Sequence, residues 1–404
     1  MEQIFFHIDV NSAFLSWTAL NALSKGSNID LRCIPSIVGG DIEKRHGVVL
    51  AKSIETKKYG IKTGEPIVNA LRKCPNLVVV PPQMSLYEEY SKNLMAFLSH
   101  ICPDIEQLSI DECFMNYTPV AKNYSSPESA ATIIKDEIFS HFGFSVNIGI
   151  SNCKVLAKMA SDFKKPNLVH TLYRKEIKEK LWPLPVSELY MCGKSSAETL
   201  RKLGIITIKD LATANLSILE SHLKSHGLLL YNYANGIDDS CINLVEPELK
   251  GIGNSTTLAK DAEKKEEVYK VLLQLSETVS SRLRAENKLA GMVSVEIKYS
   301  DFQSASHQTT LYTVSNSTDY IYKTACSLFD QLWNHNPVRL LGIRTSKLIA
   351  QGEPFQISIF DFHKNENTQA SIKQQKLDQT LDSIRDKYGK NAIIRGSLLP
   401  YHEK

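Results

Sequence analysis

The chain of 404 residues is 43% hydrophobic and 23% charged, and 47 Lys and Arg against 44 Asp and Glu leave a net charge of +3. Length predicts about two to four domains and the composition is that of a soluble globular protein with ample core, while the near-neutral balance excludes a uniformly basic nucleic-acid binder and leaves any such role to local Lys and Arg clusters. Eight scattered cysteines with no Cys-x-x-Cys pair argue against zinc and disulfide frameworks and for reduced thiols in the cytosol, and neither a signal-peptide pattern nor a run of ~18 apolar residues is present.

In chain order, residues 4–9 predict a strand that ends in Asp9, and Asn11 to about Ser24 a helix with Phe14, Leu15, Ala19, Leu20 and Leu23 on one stripe. Residues 34–38 and 47–51 read as strands around the turn Gly39-Gly40-Asp41. Ser53 to Tyr59 reads as a short helix with Lys57 and Lys58 on a cationic face, closed by Gly60. Leu77 to Val80 is a buried strand stopped by Pro81-Pro82, and Ser85 to His100 an amphipathic helix. Leu108 to Phe114 reads as one alternating strand. After a helix at Ala130–Phe142 and a strand at Ser145–Ile150, Ser151 stands where a helix N-cap belongs, before a helix from Asn152 to Lys164. Val155, Leu156, Met159, Ala160 and Phe163 form that helix's packed face, and Lys154 and Lys158 read as a solvated one.

Residues 183–240 predict a compact helical region, with a turn at Met191-Cys192-Gly193-Lys194. An extended linker follows at 241–253. Strand 254–259, helix 262–287, strands 291–299 and 305–312, helix 317–334 and strand 338–349 then give β-α-β-β-α-β, a ferredoxin-like unit. Residues 351–361 read as an exposed tail, and 370–388 as an amphipathic helix with Ile372, Leu377, Leu381 and Ile384 in line.

The chemistry centres on Asp111 and Glu112. Neighbours in a strand point to opposite faces, so one of the two carboxylates must sit on a packed sheet. Such a group is costly unless it is paired or binds a cation. Asp9 delivers another carboxylate from the first strand, so hard oxygen donors for a divalent metal are the expectation.

Four motifs then carry a resemblance. They are His7-Ile8-Asp9-Val10-Asn11-Ser12-Ala13-Phe14, the stretch Leu108 to Phe114, Gly149 to Asp162, and Lys165-Pro166-Asn167. Together and in this order they resemble the Y-family (translesion) DNA polymerases, in the bacterial DNA polymerase IV and UmuC-like branch. The resemblance covers residues 4 to about 350.

That resemblance implies an α+β, multidomain right-hand polymerase. A ferredoxin-like palm takes residues 1–175, with small fingers inserted at about 34–78. A helical thumb takes 176–240, a linker 241–253, and a little finger 254–350, ahead of a tail at 351–404. It implies a low-fidelity, template-directed polymerase that adds deoxynucleotides to a primer end in translesion synthesis and repair. Asp9 and Asp111 would bridge two Mg²⁺ ions, with Glu112 and the Val10 carbonyl as further ligands. Lys165 and Lys57 would meet the triphosphate, and Phe14 would be the steric gate that rejects a 2′-hydroxyl. The implied partners are primer-template DNA, deoxynucleoside triphosphates and, through Gln356, Ile359 and Phe360 of Gln-Ile-Ser-Ile-Phe, the bacterial sliding clamp. A cytoplasmic monomer is expected.

The chain departs from the family pattern at several positions. Ile54 stands where a Tyr is usual, Ala13 replaces a bulky residue beside the gate, and Asn11 leans toward the UmuC-like branch. Met191-Cys192-Gly193 replaces a Gly-x-Gly hairpin. The competing readings are a template-restricted nucleotidyl transferase of the same family and an inactive clamp- or DNA-binding scaffold.

Overall fold

The computed structural model describes residues 3–41, 47–245, 248–353, 368–389 and 392–398. Its chain divides into two compact units at residues 246/247. In the first unit the order is β1 (Phe5–Val10), α1 (Ala13–Ser24), β2 (Ser36–Gly39), β3 (Val49–Lys52), α2 (Ile67–Lys73), β4 (Val78–Val80), α3 (Met84–Ile101), β5 (Ile105–Gln107), β6 (Glu112–Asn116), α4 (Pro127–Phe142), β7 (Val146–Ser151), α5 (Lys154–Ser161) and β8 (Val169–Thr171). Helices α6 (Lys194–Lys202), α7 (Ile208–Ala212), α8 (Leu216–Leu223) and α9 (Ser225–Ala234) follow.

Strand β1 is central because it is apolar on both faces: Phe5, Phe6, Ile8 and Val10 are all buried. It lies in a sheet of order β5-β6-β1-β7-β8, antiparallel to β6 and β7. On one side Phe6, Ile8 and Val10 share a core with Trp17 of α1, Tyr87 and Leu94 of α3, and Ile134 and Ile138 of α4. A second, small sheet of order β3-β2-β4 has its own core around Ile37, Val49 and Ile67. This is the region expected to be the fingers.

Helix α5 lies against the sheet at β7 and β1 because Gly149 on β7 has no side chain. A Cβ there would meet the Ala157 carbonyl oxygen at 2.0 Å and the Ser161 nitrogen at 2.4 Å. Val155, Leu156, Met159 and Ala160 bury the helix's other face with Ile177, Leu181, Leu189 and Leu200 of the helical region.

Three local expectations change. Leu108–Phe114 is not one strand: β5 and β6 form a hairpin, with Leu108 and Ser109 N–H groups both donating to the Glu112 carbonyl. The Ser109 hydroxyl donates to Asp111 Oδ1 at 2.7 Å, so local Ser/Asp turn chemistry overrides the alternation of apolar residues. Ser151 is not an N-cap. It completes β7 and gives its hydroxyl to the Leu172 carbonyl, and the exposed end of α5 is satisfied by Asp238, which accepts from Val155 N–H at 2.9 Å. Lys154 and Lys158 are not solvated either. Both are largely buried, in ion pairs with Glu106 and Glu112. The linker starts in the first unit, where Lys154 also donates to the Cys241 carbonyl and Asn243 N–H to Glu106.

The second unit runs β9 (Gly251–Ala262), α10 (Lys265–Ala285), β10 (Lys288–Tyr299), β11 (Ser304–Ser315), α11 (Thr318–Leu332) and β12 (Val338–Ala350). That is the β-α-β-β-α-β order read from the sequence. The sheet is antiparallel in the order β11-β10-β12-β9, so each helix connection skips a strand. Of the expected stripe on helix α12 (Thr368–Tyr388), Leu381 and Ile384 are half-buried and Leu377 is exposed, while Asp378 beside it is buried. Asp378 accepts from Thr318 N–H at the start of α11 and pairs with Arg284 and Arg395. Glu277 pairs with Arg385 and Arg395. These charged contacts add to the half-buried Leu381 and Ile384 in holding α12. All eight cysteines are free thiols.

Candidate active site

Strand β1 presents His7 and Asp9 on one face, two residues apart. Asp9 pairs in register with Glu112 at the start of β6. Helix α5, brought close by Gly149, lays Lys158 and Ser161 over them. The Lys158 Nζ lies 2.6 Å from Glu112 Oε2, 3.6 Å from Asp9 Oδ2 and 3.5 Å from Asp162 Oδ2. Lys165 bridges Asp9 Oδ2 at 3.0 Å and Asp162 Oδ1 at 2.9 Å. Two lysines thus sit between three carboxylates that would otherwise repel.

Burial alone would raise the Glu112 carboxyl. The His7 ring nitrogen facing it at 3.2 Å, with the Lys158 hydrogen bond and charge, outweighs this and holds the group at about 2. Burial lowers an ammonium, yet Glu112, Asp162 and Asp9 push Lys158 up, and Asp9 and Asp162 do the same for Lys165. Asp111 goes the other way. Burial pushes its carboxyl up, the Ser109 hydrogen bond offsets part of this, and the Asp9 and Glu112 charges add to the rise. Ionising Asp111 therefore carries an electrostatic cost in this fold.

The expected carboxylate set is only partly assembled. Ligand atoms of His7, Asp9 and Glu112 lie within 4.8 Å of one another, while Asp111 stands outside that group, turned to Ser109. Val10 N–H donates to the Asp111 carbonyl at 3.0 Å, which keeps the two segments together. The donor set fits a divalent cation. Its oxygens are hard ligands, and a cation would offset the cost of ionising Asp111 beside Asp9 and Glu112.

Beside this cluster lies a cavity of about 310 Å³, lined by Asn11, Ser12, Arg32, Lys52, Ile54, Lys57 and Lys165 among others. Lys57 and Lys165 are brought together here as expected, and Ile54 puts an exposed apolar side chain where a phenol was usual. Phe14 is not part of the lining. Its ring stacks on Tyr87 at 4.4 Å and is half-buried, and Thr18 links the two through its bonds to the Phe14 carbonyl and the Tyr87 hydroxyl. Ala13 is buried in the core.

Sequence reasoning missed Lys52, Arg32, Lys158 and His7. Burial of Lys52, with Lys57 close by, lowers its ammonium. The spacing of His7 from Asp9 was the available signal for that residue, since i and i+2 share a strand face. The second unit carries a polar groove of about 910 Å³ on its sheet, lined by Gly253, Ser255, Ser294, Ser306, Gly342 and Arg344 among others. Gln356, Ile359 and Phe360 lie outside the described residues, and no described helix is long and apolar enough to cross a membrane.

Comparison with known proteins agrees along the whole chain. The impB/mucB/samB family pattern matches residues 8–162, and its C-terminal domain matches 249–359. DNA polymerase IV of Clostridium acetobutylicum is 48% identical over 404 residues, all of both chains. DNA polymerase IV 1 of Bacillus subtilis is 34% identical, over 99% of this chain and 94% of that one. Among solved structures, a Y-family DNA polymerase chimera superposes with a TM-score of 0.74 at 23% identity, over 86% of this chain and 99% of that chain. Asn11 leaned toward the UmuC-like branch, whereas these relatives carry the DNA polymerase IV name. By this similarity along its length, the chain belongs to the impB/mucB/samB family of DNA polymerases.

Proposed function

We propose that Asp9, Asp111 and Glu112, with the Val10 carbonyl, hold two Mg²⁺ ions for template-directed DNA synthesis of the translesion type. The observation that carries this reading is the acidic cluster bridged by Lys158 and Lys165 beside a cation-lined cavity. The bound ions would activate the primer 3′-hydroxyl and neutralise the triphosphate. The protein's own part is electrostatic and positional. Lys165 leaves Asp9 for the incoming phosphates, Lys57 meets them from the short helical turn after β3, and Lys158 keeps Glu112 ionised and oriented. Phe14, stiffened by Tyr87, sits under the sugar and rejects a 2′-hydroxyl.

In this reading residues 1–175 are the palm with fingers at about 34–78, and 176–240 the thumb. Residues 254–350 are the little finger, whose polar groove takes the DNA backbone with Arg344 and Lys298. Gln356, Ile359 and Phe360 bind a sliding clamp, and the enzyme works as a cytoplasmic monomer.

Primer extension with Mg²⁺ tests the site. Asp9→Ala and Asp111→Ala should each lose at least about 4 kcal/mol of transition-state stabilisation, roughly a thousandfold in rate, with primer-template affinity kept. Near-wild-type extension by both variants would refute the assignment. Replacing Gln356, Ile359 and Phe360 by Ala should leave distributive synthesis intact and abolish stimulation by loaded clamp.

A further inference from the structure

His7 is fully buried, yet it carries two ring nitrogens that must be satisfied. It cannot be replaced by reasoning about packing alone, although its ring does pack edge-on against Phe114 at 4.8 Å. Its Nδ1 lies 2.7 Å from the Ser161 hydroxyl oxygen, buried where α5 meets the sheet. Its Nε2 lies 3.2 Å from Glu112 Oε2, but off the hydrogen-bond axis, so the buried nitrogen lacks a full partner.

The Ser161 hydroxyl has one proton and two neighbours, Nδ1 of His7 and the Lys158 carbonyl at 2.8 Å. If that proton went to the carbonyl, Nδ1–H would donate to Ser161 and the Nε2 lone pair would face a carboxylate. The arrangement without that repulsion has Ser161 donating to Nδ1 and the ring proton on Nε2, facing Glu112. Lys158 approaches the same oxygen, Oε2. Both protein groups therefore crowd one side of the carboxylate and leave Oε1 to a cation.

We infer that His7, set in one tautomer by Ser161, is a positioning residue that orients Glu112 as a one-oxygen metal ligand. Orienting groups behind metal ligands typically change metal affinity by about 10–100-fold. The inference rests on the metal-site reading above.

The test uses full-length enzyme on a dideoxy-terminated primer-template with the matching nucleotide, and Mn²⁺ as the probe, counted by EPR. His7→Leu should weaken Mn²⁺ binding by about 10–100-fold and lower kcat, with DNA affinity and nucleotide KM near wild type. His7→Gln, which keeps an N–H at the outer position, should recover most of the loss. Ser161→Ala should shift the same way, and ¹⁵N-histidine spectra should show His7 losing its single-tautomer signature. Unchanged Mn²⁺ affinity in His7→Leu overturns the inference. So does an equal loss in His7→Leu and His7→Gln accompanied by a matching fall in Tm, which marks a packing role. Full Mn²⁺ binding in Asp9→Ala would instead refute the metal-site reading, and this inference with it.

Discussion

Lys158 and Glu112 meet at 2.6 Å, although one comes from α5 and the other from the first residue of β6, 46 positions earlier. The pair has a pH consequence. Glu112 is lowered from 4.5 to about 2 in the fold. A depressed acid contributes stability that is complete above its unfolded value and is lost as pH falls through the folded one. Between pH 4.5 and about 2, wild type should therefore lose this contribution progressively. Lys158→Met should move the acid-unfolding midpoint to higher pH and destabilise the fold at neutral pH by about 3–5 kcal/mol, the usual cost of breaking a buried pair. Circular dichroism against pH checks both.

Asp111 has the opposite sign. Burial raises its carboxyl, with Asp9 and Glu112 adding to the rise, so the fold disfavours the ionised form. Asp111→Asn should melt at a higher temperature than wild type in metal-free buffer. Added Mg²⁺ should raise the wild-type Tm and leave the variant nearly unmoved. A lower Tm for the variant without metal would contradict this account.

Lys165 has two acidic partners before any nucleotide arrives. A charge-assisted hydrogen bond to phosphate is worth about 1.5–3 kcal/mol. Lys165→Ala should thus lower kcat/KM for the nucleotide by roughly tenfold to a hundredfold. Single-nucleotide insertion kinetics provide the measurement, with primer-template affinity as the control that should not change.

Phe14 stacks on Tyr87 and does not line the cavity, so the gate role proposed for it requires that the stack hold the ring rigidly. Phe14→Ala should raise ribonucleotide incorporation relative to deoxynucleotide. Tyr87→Leu should do so more weakly, because the ring remains but loses its support. An unchanged ribo-to-deoxy ratio of kcat/KM in Phe14→Ala would remove the residue from this role.

Asp378 is 2% exposed and faces two arginines. Asp378→Leu leaves Arg284 and Arg395 without it and uncaps α11. The second unit should lose about 3–5 kcal/mol, seen as an earlier calorimetric transition, while extension on a short primer in the cold is retained.

Much of this architecture was legible because it rests on periodicity. Strand β1, helices α3 and α4, and the β-α-β-β-α-β order of the second unit all declare themselves by apolar spacing. What failed was decided by single polar groups. Ser109 bent a strand into a hairpin, Asp238 capped a helix from 83 residues away, and Asp378 joined the last helix to the start of α11. At the site, Asp9, Glu112 and Lys165 were found as chemistry-bearing residues in recognisable motifs. Lys158 and His7 were not, because an ordinary helix-face lysine and a strand histidine gain meaning only when α5 lies down on β1.

That contact depends on Gly149, a residue with no functional group. It acts as a spacer whose thickness is one hydrogen atom. Even the smallest added side chain would lift α5 like a shim under a bearing, carrying Lys158 and Ser161 away from Glu112 and His7 together. The tolerance of this active site is therefore set on a neighbouring strand, behind the groups that do the chemistry. Mutational scans that rank positions by what a side chain can donate or accept will overlook it.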